Sequence, residues 1–145
     1  MGGNSFQALL TKTDQLKFFM CVKEHLKYNG LFSFVTRNPE VEDLVNVSDD
    51  FLYWHAFTDP NGVMVKVYGK HTYDNQNQIA KYYTKRVWDE KETITEICLR
   101  YTSCKEIMHL LEVSGLEAST IYGDFDKTVW TKKSPSIIFI CKLKQ

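Results

Sequence analysis

Neither sign of charge prevails in this chain. Lysine plus arginine and aspartate plus glutamate each total 18 over 145 residues. That balance removes the long-range attraction that draws a basic chain to nucleic acid or to an anionic membrane. The local basic stretch from Lys81 to Arg86 is interrupted by Tyr82 and Tyr83, and reads as a solvated strand face. Cysteine is sparse: Cys21, Cys98, Cys104 and Cys141 show no C-x-x-C spacing. No secretory signal accompanies them, so reduced thiols in a cytoplasmic protein are expected. The four histidines (His25, His55, His71 and His109) are scattered, without H-E-x-x-H or Cys/His pairing, and no metal site is expected. No apolar run approaches the roughly 20 residues that span a bilayer. Repeats and low-complexity stretches are also missing. What remains is 43% hydrophobic and 25% charged, the balance of a globular chain, and the length suits one domain.

The last fifty residues are the most informative. Thr95, Ile97, Leu99 and Tyr101 alternate with Ile94, Glu96, Cys98 and Arg100, which predicts a strand. Ser103-Cys104-Lys105-Glu106 forms a capping box, Ile107, Met108, Leu110 and Leu111 supply an apolar stripe, and Gly115 fits the stop. A helix over 104–114 follows, then a strand near 117–123. Ile137 to Cys141 is apolar at every position, the pattern of a strand near 136–143 buried on both faces.

Upstream, Thr11 can cap a helix over 12–28, with Leu16, Phe19, Met20, Lys23 and Leu26 on one face and Asn29-Gly30 as the stop. Leu31 to Thr36 reads as a strand, broken by Asn38-Pro39. Residues 41–50 are acidic and irregular, a linker. From Phe51 to Tyr101 the period becomes two. Phe51, Tyr53, His55 and Phe57 alternate with Leu52, Trp54, Ala56 and Thr58, and turns fall at Asp59-Pro60-Asn61-Gly62, 74–77 and 89–91. A four-stranded antiparallel meander with an aromatic-rich face is predicted.

Taken in order, Asn4-Ser5-Phe6-Gln7, then His25-Leu26-Lys27-Tyr28-Asn29-Gly30, then Thr36-Arg37-Asn38-Pro39, then the capped helix and Gly123-Asp124-Phe125 before the final apolar strand, resemble the C-terminal half of class I S-adenosylmethionine (SAM) dependent methyltransferases. The resemblance implies an α/β fold: a partial Rossmann-like methyltransferase sheet built from 1–40 and 102–145, with 51–101 as a β insertion on the substrate side. It implies SAM as the cofactor of the intact family and methyl transfer to an unknown small molecule. The chain departs from the family in its first half. The Gly-rich loop that approaches SAM, and the acidic residue that holds its ribose, have no counterpart among seven glycines that form no G-x-G pattern. A chain without them is expected to bind SAM poorly and to be inactive alone. The strand at 31–36 would then have an open edge, which a homodimer could cover.

By the resemblance, Asn4, Ser5 and Phe6 map to the methionine side of SAM, though a disordered terminus fits Asn4 and Ser5 as well. Arg37 and Asn38 leave a strand at its carboxyl end, where open α/β sheets bind ligands, and Asn38-Pro39 equally fits ordinary turn chemistry. Tyr53, Trp54, Tyr68, Tyr73, Tyr83, Arg86 and Arg100 are candidates for a substrate pocket whose rings would hold a cationic or flat molecule. Cross-strand aromatic pairs alone explain such rings equally well. His55 and His71 are the candidate bases, because imidazole exchanges a proton near neutral pH. Two rivals stand beside the methyltransferase: a non-catalytic α+β module for ligand binding or dimerisation, and a small self-sufficient enzyme using one of these histidines.

Overall fold

The computed structural model describes residues 1–45 and 48–145. A short 3-10 helix (Ser5–Ala8) leads into α1 (Lys12–His25), β1 (Phe32–Arg37), β2 (Leu52–Thr58), β3 (Met64–Asp74), β4 (Ile79–Trp88) and β5 (Lys91–Arg100). Then come α2 (Cys104–Ser114), β6 (Leu116–Tyr122) and β7 (Ser136–Leu143). Met1–Glu42 and Arg100–Gln145 make one compact unit, and Asp43–Leu99 a second. The expected linker 41–50 includes Asn46 and Val47, which lie outside the described residues.

The first unit is a three-stranded sheet in the order β1-β7-β6, antiparallel at both seams. The apolar run thus sits in the middle, which is why its residues are apolar on both faces. Alternation sends Phe32, Phe34 and Thr36 to one side of β1, opposite Cys141, Phe139 and Ile137 of β7. Phe34 and Phe139 stack at 4.9 Å with planes 9° apart. Phe6 and Phe19 close on Phe34 at 4.9 and 5.4 Å, and Ile107, Leu110, Leu111 and Leu116 complete the core. Phe6, expected near a ligand, is fully buried in this core.

Both helix starts are capped as read, with differences in detail. Thr11 Oγ1 accepts the Asp14 amide at 3.0 Å, and Ser103 Oγ accepts the Glu106 amide at 3.2 Å. The Glu106 carboxylate, however, reaches Arg100 at 2.8 Å instead of closing the box. Helix α1 ends at His25, earlier than the expected 28. Leu26 is already extended, and the Gly30 amide donates to the Lys27 carbonyl in a turn that puts Asn29 at φ 61°. Gly115 ends α2 as expected, at φ 81°.

The second unit is the four-stranded sheet β2-β3-β4-β5. Its turns are built by aspartates. Asp59 Oδ1 accepts the amides of Asn61 and Val63, and Asp74 Oδ1 accepts those of Gln76 and Asn77. One difference from the sequence pattern matters for function. A bulge interrupts β2, where Tyr53 pairs with Tyr68 but His55 pairs with Val67. Tyr68 and Val67 face opposite ways, so Tyr53 and His55 do too, against the expected shared face.

Candidate functional site

The structure divides the candidate residues between the two units. In the first, Asn4 takes a left-handed conformation (φ 57°) ahead of the 3-10 helix, with no capping bond from its side chain. Ser5 Oγ donates to the Gly2 carbonyl at 2.7 Å. Neither residue belongs to a structureless terminus.

Arg37 reaches the Tyr101 hydroxyl at 3.2 Å. Asn38 is fully buried, and its amide nitrogen donates to the carbonyls of Lys132 and Ser134 at 3.1 and 2.8 Å. Its side-chain oxygen accepts the Glu40 amide at 3.2 Å. Both amide protons are thus occupied in tying the end of β1 to the loop before β7. Arg100 is likewise internal. Its guanidinium donates to Gln15 Oε1 at 2.7 Å, to Thr102 Oγ1 at 3.3 Å and to Glu106 at 2.8 Å. Gln15, fully buried, completes the network through Thr102 and the Leu9 carbonyl. The sequence pattern gave no sign of this glutamine's role.

In the second unit, register sorts the side chains. Tyr53 opposes Tyr68 across β2 and β3, their rings edge-on at 5.6 Å. Lys70 opposes Tyr83, and Tyr68 opposes Lys85, across β3 and β4. The other face carries His55 beside Phe57, with rings 6.4 Å apart, and His71 stacked on Tyr82 at 5.5 Å. His71 Nε2 is buried without a hydrogen-bond partner. Tyr73 shares the His71 face by alternation, and Arg86 reaches Thr95 Oγ1 at 3.3 Å. Trp54, at the bulge, lies over Gly69, where a Cβ would fall 1.8 Å from the indole. On the Tyr68 face, Glu96 is the main cause, with Tyr83 and Cys98, that holds the Lys81 ammonium above its ordinary range.

The candidate bases therefore lie on one face of this sheet, with Tyr53, Tyr68 and Tyr83 on the other. Phe51, Lys70 and Lys85 were not among the site candidates read from the sequence. Counting outward from the 74–79 hairpin would have found the two lysines, since it sets Lys70 against Tyr83 and Lys85 against Tyr68.

Among the described residues, no three His, Cys, Asp or Glu side chains cluster to hold a metal. No described helix is long and apolar enough to cross a membrane.

No protein-family model and no curated protein matches the sequence. Solved structures do match. The CcbJ methyltransferase from Streptomyces caelestis superposes with a TM-score of 0.84 at 18% identity, over 99% of this chain and 55% of that one. A SAM-dependent methyltransferase from Clostridium acetobutylicum gives 0.81 at 16%, over 99% and 56%. CalS10, an amino pentose methyltransferase from Micromonospora echinaspora described with SAM bound, gives 0.64 at 14%, over 96% and 54%. The chain has the α/β fold of these SAM-dependent methyltransferases and spans little more than half the length of each.

A SAM site needs a close backbone approach, which a glycine cradle provides. The described glycines do not make one. Trp54 fills the space at Gly69, Ser134 that at Gly123, Lys23 that at Gly115 and the Lys27 carbonyl that at Gly30, while Gly2, Gly3 and Gly62 face nothing within 4 Å. The residues present do not fit SAM by themselves.

Proposed function

We propose that this chain is the C-terminal portion of a SAM-dependent methyltransferase acting on a small molecule, and that it is inactive by itself. One observation carries the reading: nearly the whole chain superposes on such an enzyme while covering little more than half of it. Methyl transfer is an in-line displacement, in which a protein chiefly orients the acceptor and excludes water. SAM supplies the methyl group. In this reading the first unit supplies the closing strands of the core, and 51–101 is the substrate-side cover. Neighbours described as a sugar N-methyltransferase and a glycopeptide N-methyltransferase favour an amine as acceptor. Four free thiols favour the cytoplasm.

The test is a calorimetric titration of the chain with S-adenosylhomocysteine to millimolar concentration. A complete site of micromolar affinity is worth about −8 kcal/mol, and half of that leaves millimolar binding. The expected result is no saturable heat. Micromolar binding would overturn the reading that the cofactor residues lie outside this chain.

We infer also that a second copy covers β1, which among the described strands pairs with β7 and no other. Among the described contacts near that edge, the Met1 ammonium donates to the Ser33 carbonyl at 2.7 Å. Light scattering at tens of micromolar should give a dimer mass, and a monomer would count against the pairing.

A further inference from the structure

The three-stranded sheet has an outer edge, on β6, that the chain covers only in part. At the far end of that strand Tyr122 bridges Val129, the Trp130 amide donates to the Ile121 carbonyl at 3.2 Å, and the Gly123 amide to the Thr128 carbonyl at 2.8 Å. The chain thus lays its own extended backbone, 128–130, along this edge. No described strand covers the near end, 116–119.

Register tells which backbone groups lie open there. The Lys144 amide donates to the Gly115 carbonyl at 3.0 Å, so 115 and 144 form a hydrogen-bonded pair, and Glu117 with Lys142 forms the next. Leu116 and Ala118 alternate with them, so their N–H and C=O groups point away from β7. A bulge follows, with Ser119 Oγ turned back to the Ile140 carbonyl at 3.0 Å, and it confines the open stretch to these two residues.

A groove of about 460 Å³ runs beside this stretch, with α2 as its other wall. Two of its carboxylates are paired, Glu112 with Lys144 at 2.9 Å and Glu117 with Lys142 at 3.2 Å. Lys144, with a smaller part from His109, holds the Glu112 carboxyl below its ordinary range. None of the ion pairs among the described residues involves Lys105 or His109, both exposed on the α2 wall. Three lysines thus meet two glutamates, and the cation in excess is Lys105. Met108, 42% exposed, adds an apolar patch between the charges.

We propose that a short extended peptide with an acidic side chain adds to β6 here as a fourth strand. Added antiparallel, a Glu-Thr-Val segment sets its glutamate opposite Ala118 and its valine opposite Leu116, and exchanges backbone hydrogen bonds with both. Directly opposed side chains share a face, and Leu116 and Ala118 face the core that α2 covers. Helix α2 turns at Gly115 straight into β6, so the two run in opposite directions and Ala118 lies nearer Lys105 than Leu116 does. The glutamate then meets Lys105 and His109, and the valine faces Met108. The proposal rests on the first unit alone, independently of methyl transfer.

The experiment is NMR titration of the full chain with acetyl-Glu-Thr-Val-amide. Saturable shifts with Kd of about 1 mM or tighter are expected, centred on Leu116 and Ala118, and saturating peptide should slow exchange of the Ala118 amide about fivefold or more. A peptide N-methylated at its glutamyl and valyl nitrogens should bind at least about tenfold more weakly, and the Gln-Thr-Val peptide about fivefold. Lys105→Gln with His109→Gln should bring the acidic peptide level with the neutral one, Lys105→Arg should retain binding, and Lys12→Gln on α1 should change nothing. The same spectra show that each variant is folded. No saturable shift, full binding by the N-methylated peptide, or indifference to the double Gln variant would each overturn the proposal. So would equal affinity for glutarate, which would mark a small-anion site, or shifts at 116–119 on diluting the chain alone, which would mark a second copy.

Discussion

The two sheets use the same kind of side chain to opposite ends. In the core against the three-stranded sheet the packed rings are phenylalanines: Phe6, Phe19, Phe34 and Phe139 are all within 1% of full burial. In the four-stranded sheet Tyr53 and Trp54 are 58% and 51% exposed, and tyrosines alternate with lysines. A buried ring contributes through area removed from water and dense contact. A half-exposed ring contributes little to stability and keeps a polar tip or a π-face available. Aromatic content alone cannot separate these cases. The residue two positions along the strand can: Phe32, Phe34 and Thr36 against Tyr68, Lys70 and Thr72.

The contrast is sharpest for Phe34→Ala, which should lower unfolding free energy by about 4 kcal/mol in urea denaturation. Tyr53→Ala should cost under about 1 kcal/mol, and equal losses would erase the distinction between the sheets. Next in size is Arg100→Ala, which leaves Glu106 and Gln15 without their charged partner inside the first unit. Breaking such a pair should cost about 3 kcal/mol by the same measurement, and a loss under about 1 kcal/mol would show the network to be solvated. The smallest effect tests how firmly the second unit holds its rings. Gly69→Ala drives a methyl into the indole of Trp54, but that ring is half exposed and can swing away. A cost of about 1 kcal/mol is expected, vanishing in a Trp54→Ala background, and a cost that persists there would place the strain in the backbone.

A difference in thiols lies within the first unit itself. Burial pushes the Cys141 thiol, in the middle strand of the first unit, up to about 12. The folded state therefore favours the protonated form more than the unfolded chain does. Its contribution to stability is complete below the ordinary value of 9.0 and is lost as pH rises through about 12. At pH 8 a thiol reagent should label exposed Cys21 quickly and Cys141 only on unfolding.

Much of the fold was legible because local signals agreed. Thr11, Ser103 and Gly115 mark helix ends by chemistry that acts within four residues, and the run Ile137–Cys141 admits few readings besides a central strand. The order β1-β7-β6 depends on contacts distant in sequence, and no periodicity reports those. The candidate site was harder to read for a related reason. Asn38 and Arg100 have the residue types of ligand contacts, yet their partners are Lys132, Ser134, Gln15 and Glu106, which only the fold brings near. Phe6 looked available because nothing in its own neighbourhood announces three other phenylalanines.

Strand β2 is an odd-length detour in an even-numbered pattern. Because its extra residue falls between Tyr53 and His55, the strand changes parity halfway along. A relative lacking that residue would have to be aligned with a gap there. An alignment that closes the gap elsewhere would exchange one sheet face for the other over half the strand, and would compare His55 with a residue of the opposite face.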